Sequence, residues 1–409
     1  MSSLVYPTLP GVTFNSIRAP QWTTGVQTAV SRKQTTIAYQ QYPVIKYTLI
    51  YEFLRDTPYP NVTTSEIKAL FGLFMQMQGR YDTFLYTDPE FNSVTLWNYA
   101  VGNGSQVLFP VTAIYENVGG PGVAELIQNF NGTPSFYINR FGLNELMSGV
   151  SRTNYLLQSQ TWATTWTQNA CTITSNSTVA PDGTTTADSI KETTATSAHG
   201  ISQAVTVPSA VEDLTLTVYL NPNLTRTWAF LSMTEATGGT VVSAYFNLSG
   251  AGAVGTVATG ANWSAAFTSI TACNGGFYCC VLNATKTNAA TSITAAIDAA
   301  TANGTNSYTG STSDGVTGWG AQLEVGLNST MYLPTTTGAV TQADYTLGPT
   351  TLINAGYISM TAAPVNNATL LWSGSFYYRC RFEEDAQDFT KFMSVLWELK
   401  KVEFMSVIQ

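Results

Sequence analysis

Alternation of apolar and polar residues predicts a strand near the start of the chain. The stretch "IKYTLIYEFL" has apolar side chains at every second position: Ile45, Tyr47, Leu49, Tyr51 and Phe53. The spacing becomes helical after "TTSE" (Thr63 to Glu66), which has the form of a capping box, and Gly79 ends this pattern. The residues at helical intervals are Ile67, Leu70, Phe71 and Phe74. Because Tyr81–Tyr86 resumes as a strand, the beginning predicts the order strand, capped helix, strand.

The end of the chain repeats this order. "LWSGSFYYRCRF" alternates, with one face formed by Trp372, Phe376, Tyr378, Cys380 and Phe382. "EEDAQDF" then places acidic residues where a helix would begin. Apolar residues follow at helical intervals: Phe389, Phe392, Met393 and Leu396. Since "KVEFMSVIQ" predicts a closing strand, we expect the two ends of the chain to build one domain together.

The middle of the chain follows another pattern. Between Ser151 and Asp344 there are four basic and ten acidic residues. Short alternating stretches recur, separated by clusters of Gly, Asn, Ser and Thr: "LTLTVYL", "VVSAYFNLS", "GFYCCVLNA" and "TGWGAQLEV". No capped amphipathic helix competes with them, so this segment predicts an antiparallel β-sandwich.

These patterns predict an all-β domain inserted into a mixed one. The predicted fold class is mainly β with α+β elements: an α+β/β host domain with an inserted antiparallel sandwich of the jelly-roll type. We expect residues 1–100 and 375–409 to form an α+β domain, and residues 101–150 and 345–374 a small β-domain. Residues 151–344 would form the inserted sandwich, since insertions are tolerated where the ends of the inserted domain lie close together on a surface loop.

Composition and charge exclude several classes of function. Charged residues make up 10% of the chain and the net charge is −8, which argues against nucleic-acid binding through a basic face. No stretch reaches the roughly 18 apolar residues of a membrane helix. The start "MSSLVYPTLPG" lacks the layout of a signal peptide. We therefore expect the chain to stay in the cytoplasm in which it is made, unless it leaves as part of a larger assembly.

Residues that commonly carry chemistry are few. The five cysteines include no CxxC pair, and Cys279 and Cys280 are neighbours on a predicted strand, so their side chains face opposite ways. His199 is the only histidine, and no GxSxG motif accompanies it. The run Glu383–Asp385 is compatible with a carboxylate pair, but acidic residues that cap a helix explain it more simply. The sequence predicts no catalytic residue, no metal site and no cofactor.

Both ends of the chain resemble one family of tail proteins. The segments are "LPGVTFNSIRAPQWTTGVQTAVSRKQTTIAYQQYPVIKYTLIYEFLRD" and "YYRCRFEEDAQDFTKFMSVLWELKKVEFMSV". They are similar to the two ends of the distal tail proteins of tailed bacteriophages and gene-transfer agents. The resemblance implies a belt domain that assembles a homo-hexameric ring in the baseplate, between the tail tube protein and the hub proteins. It also implies a virion protein of the tail tip, assembled in the cytoplasm of the infected cell.

The middle segment resembles the carbohydrate-binding jelly-roll modules found on many phage tail proteins. The matching stretches are "SRTNYLLQSQTW", "APDGTTTADSI" and "WGAQLEVG" followed by "TMYLPTTTGAVTQAD". The resemblance implies host attachment through a cell-surface polysaccharide. Three alternatives stay open: a decoration domain without a ligand, a tail-associated polysaccharide depolymerase, and a cell-surface adhesin, which would ordinarily carry an export signal.

Two sets of residues are candidates for contacts. Trp228, Tyr245 and Trp263 lie among polar residues of the middle segment, and aromatic rings stack on the apolar face of a sugar. Ordinary core packing is the alternative for each. In the N-terminal segment, a contact with a neighbouring subunit is expected, and the alternative is isolated solvated side chains. The candidates for that contact are Arg18, Trp22, Arg32 and Lys33.

Overall fold

The computed structural model describes residues 2–9, 16–56, 65–114, 124–348 and 356–407. Nearly all of its regular structure is strand, and the strand pairs are antiparallel, which confirms the predicted fold class. The helix α1 spans Glu66–Met77, and no described helix is long and apolar enough to cross a membrane.

Within the described residues, eleven strands precede the middle segment. They are β1 (Ile17–Gln21), β2 (Thr24–Thr28), β3 (Gln34–Ala38), β4 (Val44–Arg55), β5 (Phe84–Tyr86), β6 (Ser93–Val101), β7 (Leu108–Pro110), β8 (Thr112–Ile114), β9 (Ala124–Leu126), β10 (Phe130–Arg140) and β11 (Leu143–Met147).

The middle segment contains the next strands. They are β12 (Arg152–Asn154), β13 (Thr167–Asn169), β14 (Cys171–Thr178), β15 (Ala187–Glu192), β16 (Thr196–Thr206), β17 (Glu212–Asn221), β18 (Trp228–Glu235), β19 (Val241–Asn247), β20 (Ala253–Thr259), β21 (Trp263–Ala272), β22 (Tyr278–Lys286), β23 (Ser292–Ala300), β24 (Ser307–Thr309), β25 (Gly315–Val325) and β26 (Val340–Gln342).

The remaining described strands follow the middle segment. They are β27 (Tyr345–Leu347), β28 (Tyr357–Met360), β29 (Thr369–Phe376), β30 (Tyr378–Phe382), β31 (Thr390–Met393) and β32 (Leu396–Ser406).

Strands from both ends of the chain pair in one six-stranded sheet. Its order is β1-β4-β32-β30-β5, with β31 added beside β32. The register of the central pair places Leu49 opposite Val402 and Tyr47 opposite Phe404. Side chains of this sheet and of α1 share one hydrophobic core with a four-stranded sheet, β11-β10-β29-β6, and with the three-stranded sheet β27-β28-β7. We call these parts together, residues 2–148 and 344–407, the body.

Three details of the body differ from the expectations. The side chain that caps α1 is Ser65, whose Oγ accepts the Lys68 amide at 3.4 Å, and the expected cap Thr63 lies outside the described residues. Strand β6 pairs with β29 in the four-stranded sheet, although all of it except Val101 falls within the range 1–100. The expected second helix is absent from the described C-terminal segment: residues 390–406 form the hairpin β31–β32.

The prediction of that second helix was wrong because of tertiary pairing. Strand β32 is eleven residues long, and β4 pairs with it along most of its length. A helix that reached Leu396 would remove the first ladder contacts of β32 with Arg55 and Leu54. The acidic run does not cap a helix either. Glu383 pairs with Lys46 at 2.6 Å, and Asp385 pairs with Arg80 at 3.2 Å.

Residues 152–342 form a two-sheet sandwich. One sheet has the order β13-β16-β23-β18-β19-β20, with β24 beside β16, and the other has the order β14-β15-β25-β17-β22-β21. Alternate side chains of the two sheets meet in a separate core, which includes Leu216, Leu231, Phe246 and Ile297. Cys280 belongs to this core while Cys279 lies on the opposite face of β22, as the alternation predicts.

The chain enters and leaves the sandwich at one place. Strands β12 and β26 pair with each other, with Arg152 opposite Gln342. Next to this pair, the buried Arg152 guanidinium contacts the Asp344 carboxylate at 2.7 Å. The Asp344 carboxylate also accepts the Ser148 amide at 2.8 Å, so the entry and exit segments are bonded to each other.

Candidate carbohydrate-binding surfaces

Two of the three predicted sugar-stacking residues share the outer face of the seven-stranded sheet. Core residues alternate with Trp228 and Phe230 on β18 and with Tyr245 on β19, so these three rings point away from the core. The Phe230 and Tyr245 rings are 4.8 Å apart, and Tyr245 is 8% exposed. Trp228 is half-buried, so of the two predicted residues Trp228 and Tyr245 it is the more accessible.

A loop contacts this outer face beside Tyr245. Asn306 accepts the Tyr245 hydroxyl at 3.1 Å, and its amide donates to the Asp298 carboxylate at 3.3 Å. Asn303, in the same loop, accepts the backbone amide of Thr256 at 2.7 Å. Burial raises the pKa of Asp298 to about 6, although the Asn306 hydrogen bond and the nearby His199 oppose the rise. This face therefore contains a buried carboxylate, and hydrogen bonds hold the loop against it.

Trp263 lies apart from the other two residues. It begins β21 in the opposite sheet, is 4% exposed, and packs in the core of the sandwich. Its indole N–H donates to the carbonyl oxygen of Thr240 at 3.1 Å. Its ring therefore offers no open face to a ligand, and the structure does not bring it together with Trp228 and Tyr245.

The sandwich contacts the body through the outer face of its own six-stranded sheet, β14-β15-β25-β17-β22-β21. The hairpin β10–β11 ends in a two-residue turn, Phe141–Gly142, with φ of 58° and 81°. Positive φ at both turn residues is typical of a type I′ turn, and it is unfavourable for a bulky residue such as phenylalanine. Phe141 packs edge-on against Trp319 at 5.4 Å and Tyr219 at 5.9 Å. This buried aromatic contact offsets the cost of the turn.

A polar network fixes the same hairpin to the sandwich. The Glu145 carboxylate is paired with the Arg140 guanidinium and accepts the Tyr219 hydroxyl at 2.8 Å and the Tyr332 amide at 3.2 Å. Arg140 also donates to the carbonyl oxygen of Tyr332 at 2.9 Å. Burial, and then the Glu145 charge, raise the pKa of Tyr219 well above its usual range, so its hydroxyl stays a donor. The sandwich is therefore joined to the body by these hydrogen bonds as well as by its two chain connections.

The hairpin leaves a groove on one side, which we call the junction groove. Its volume is about 400 Å³, and its walls come from both parts of the chain. The body contributes Tyr137 and Asn144; the sandwich contributes Thr217, Phe267, Ser269 and Val281, and residues 327–330 close one end. On the other side of the hairpin, a cleft of about 620 Å³ is lined by Asn274, Asn367 and the edges of Trp319 and Tyr332.

A β-bulge sets the position of Phe267 in the junction groove. The register of β21 against β22 shifts between Ser264 and Phe267, and Ala265 within the bulge has a φ of 50°. Bulges redirect the side chains that follow them and are enriched near functional sites. Phe267 is 59% exposed, and it is the one exposed residue among the Phe, Tyr, Trp and Met residues of the fully described range 152–342.

Other candidate residues have structural partners. Both ring nitrogens of His199 contact carbonyl oxygens, Ala170 at 2.7 Å and Tyr308 at 3.0 Å, so neither is free to act as a base. Glu192 binds Arg226 at 2.6 Å. Among the described residues, no group of three or more His, Cys, Asp and Glu side chains is placed to hold a metal ion.

The predicted assembly residues fall into two environments. Arg18 lies on β1 and is held within the chain, by Asp88 at 2.8 Å and by the Phe91 ring, 4.2 Å from its guanidinium carbon. Arg32 and Lys33 lie at the exposed turn of the hairpin β2–β3, and Trp22 is exposed at its base. Both faces of this hairpin are open: Val26 is 58% and Ile37 is 56% exposed.

Sequence reasoning missed the residues of the junction groove. Thr217 and Phe267 lie on the outer faces of β17 and β21. Alternation of apolar and polar residues separates the two faces of a strand, but it does not show which face another domain covers. Tyr137 and Asn144 are far from them in sequence. The bulge at Ala265, which sets the direction of Phe267, has no local signal such as glycine.

Comparisons with known proteins give little guidance. No family model matches the chain, and no curated protein matches it at a significant level. Among solved structures, the enzymatically active domain of tailspike protein 4 of bacteriophage CBA120 is similar to part of it, at 13% sequence identity and a TM-score of 0.27. The match covers 42% of this chain and 21% of that one. A similarity this weak supports no inference about function.

Proposed function

We propose that this chain is a structural protein of a bacteriophage tail tip. The body assembles a hexameric ring between the tail tube and the baseplate hub, and the sandwich is an inserted module that adheres to a polysaccharide of the bacterial surface. The number six and the neighbours of the ring rest on the resemblance of both chain ends to distal tail proteins. The chain acts in this proposal without catalysis.

The observation that carries the assembly role is the exposed hairpin β2–β3. An isolated two-stranded hairpin is marginally stable in water, and its outer edges present unpaired backbone groups. Here Val26, Val30 and Ile37 are exposed on it as well. Burying each such side chain against a partner contributes roughly 1.5–3 kcal/mol. A second copy of the chain would satisfy both the edges and the apolar side chains, and a closed ring would repeat this contact in each subunit.

The distribution of exposed side chains supports a division of roles. The body exposes large side chains in several places: Trp22, Tyr39, Phe71, Met75, Tyr81, Phe91, Phe392 and Met393. The sandwich surface is polar apart from scattered aliphatic residues and Phe267. Large exposed apolar side chains are available for protein–protein contact, while a polar surface with few charges suits a neutral glycan. Weak sites on several copies would bind one surface with avidity.

The assembly role is tested by the mass of the particle. We expect the full-length protein to form one species of six chains in native mass spectrometry, and the double variant Val26→Lys, Ile37→Lys to give monomers. Val179→Lys with Val211→Lys places the same charges on exposed valines of the sandwich and should leave the particle unchanged. A monomeric full-length protein, or a hairpin variant with an unchanged mass, would contradict this role.

The adhesion role is tested with a panel of purified bacterial capsular and cell-wall polysaccharides. We expect the full-length particle to bind at least one of them in biolayer interferometry, with no release of reducing ends over time. Sustained release would replace adhesion by depolymerase activity. Absence of binding across the panel would leave the ring role intact and make the sandwich a decoration without a ligand.

A further inference from the structure

We infer that the junction groove is the glycan-binding site, and that it takes a neutral, hydroxyl-rich saccharide held between the body and the sandwich. The inference rests on the proposed adhesion role and specifies its site. The groove differs from the outer face with Trp228 and Tyr245, which lies on the opposite sheet of the sandwich. Its volume of about 400 Å³ lies within the range of small-ligand sites, roughly 300–1,000 Å³.

An unpartnered hydroxyl group lies in the wall of the groove. Thr217 is 4% exposed, and its Oγ1 has no hydrogen-bond partner among the described residues. A buried hydroxyl without a partner destabilises the fold, so most such groups in proteins are satisfied. Thr217 and Ser269 both point to the outer face of the six-stranded sheet of the sandwich, where the groove lies. Their hydroxyls can donate to and accept from the hydroxyl groups of a sugar.

An exposed aromatic ring lies beside these hydroxyls. Phe267 and Ser269 occupy alternate positions of β21, so their side chains share one face. The Phe267 ring is exposed there, and Tyr137 and Val281 add apolar wall. Sugars present apolar C–H faces and polar hydroxyl edges, and this combination of ring and hydroxyls suits both.

The charges around the groove favour a neutral ligand. The carboxylate in its wall, Glu145, is neutralised by Arg140 and bonded to Tyr219. The lining residues include no lysine or arginine. Asn144 and Asn328 supply neutral amides at the rim. An anionic polysaccharide would find no cation in this wall, so a neutral saccharide is the class that fits.

The test uses the full-length particle and a polysaccharide from the panel to which it binds. We expect Phe267→Ala to lower the affinity about tenfold, corresponding to one lost stacking contact. Thr217→Val keeps the shape of the side chain and removes the hydroxyl. This variant should also bind more weakly, and its protein should melt at or above the temperature of the unchanged protein. Trp228→Ala and Val179→Lys are the controls, with unchanged affinity expected for both.

Each result decides between the groove and its alternatives. Loss of binding in Trp228→Ala with unchanged binding in Phe267→Ala would overturn the groove and leave adhesion in place. A lower melting temperature of Thr217→Val would show that the hydroxyl has a partner within the fold, against the inference. No binding across the panel would overturn both the groove and the adhesion role, while the mass of the particle still reports on the ring.

Discussion

Replacement of Asp298 by asparagine should stabilise the sandwich near neutral pH. Asp298 lies on β23, is 8% exposed, and accepts a hydrogen bond from the Asn306 amide. Asparagine has nearly the same shape and keeps an oxygen for that bond. It removes the negative charge, which burial disfavours. Burial raises the pKa of Asp298 from its usual 3.8 to about 6.

The size and the pH range of the effect follow from this shift. A carboxyl group whose folded pKa exceeds its unfolded value costs nothing at low pH, where it is protonated in both states. The cost develops as the pH rises from 3.8 to about 6 and is complete above that range. With about 1.4 kcal/mol for each pKa unit, the charge destabilises the fold by about 3 kcal/mol near neutral pH.

The assay compares urea unfolding of the unchanged protein and Asp298→Asn at about pH 4 and about pH 7. Hydrogen exchange of peptides from β18 and β23 reports the sandwich separately from the body. We expect the variant to gain about 3 kcal/mol at the higher pH and little at the lower one. Asp182→Asn, at an exposed position, should gain nothing at either. An equal effect of Asp298→Asn at both pH values, or a loss at the higher one, would refute the reasoning.

Three further predictions concern the junction, the place where the chain enters and leaves the sandwich, and the core of the sandwich. Glu145→Gln should destabilise the protein by about 3 kcal/mol in urea unfolding, because the mostly buried Arg140 is left without its counter-charge; Glu398→Gln, in a solvated pair with Lys400, should change it by less than about 1 kcal/mol. Arg152→Met should cost about 3 kcal/mol by leaving Asp344 buried and unpaired, and Asp344→Asn added to it should recover part of that loss in a double-mutant cycle. Trp263→Ala should lower stability by about 4 kcal/mol and Trp228→Ala by less than half as much; equal losses would contradict their different burial.

The long strands were predictable because apolar residues recur at alternate positions along each of them. In β4, β17 and β25 the alternation continues over enough residues to distinguish a strand from a helix, and the structure has strands at all three. Residues 389–396 were not predictable in this way. Their apolar spacing fits one helical face, but a short segment is also compatible with a strand. The decisive contacts are the pairing of β31 with β32 and of β32 with β4.

The candidate site was less predictable than the fold. Aromatic residues in a sandwich fill the core, cover a sheet or face solvent, and the sequence does not show which sheet each strand joins. Trp263 and Phe267 are four positions apart on β21, yet the first is buried in the core and the second is exposed, because the bulge at Ala265 shifts the register between them. The junction groove also needs the β10–β11 hairpin, whose Phe141 turn lacks the usual Asn–Gly signal.

The body can be tested without the sandwich because the chain enters and leaves through one strand pair. Replacing Thr153–Thr341 by Asn–Gly joins Arg152 to Gln342, which already face each other, through a two-residue turn. Phe141→Ser removes the ring that the deletion would expose.

The number of chains per particle in native mass spectrometry then tests the central claim, that the body alone carries assembly. We predict the same number for the shortened and the full-length protein. A shortened protein that stays monomeric or aggregates, beside a full-length protein that assembles, would contradict the account.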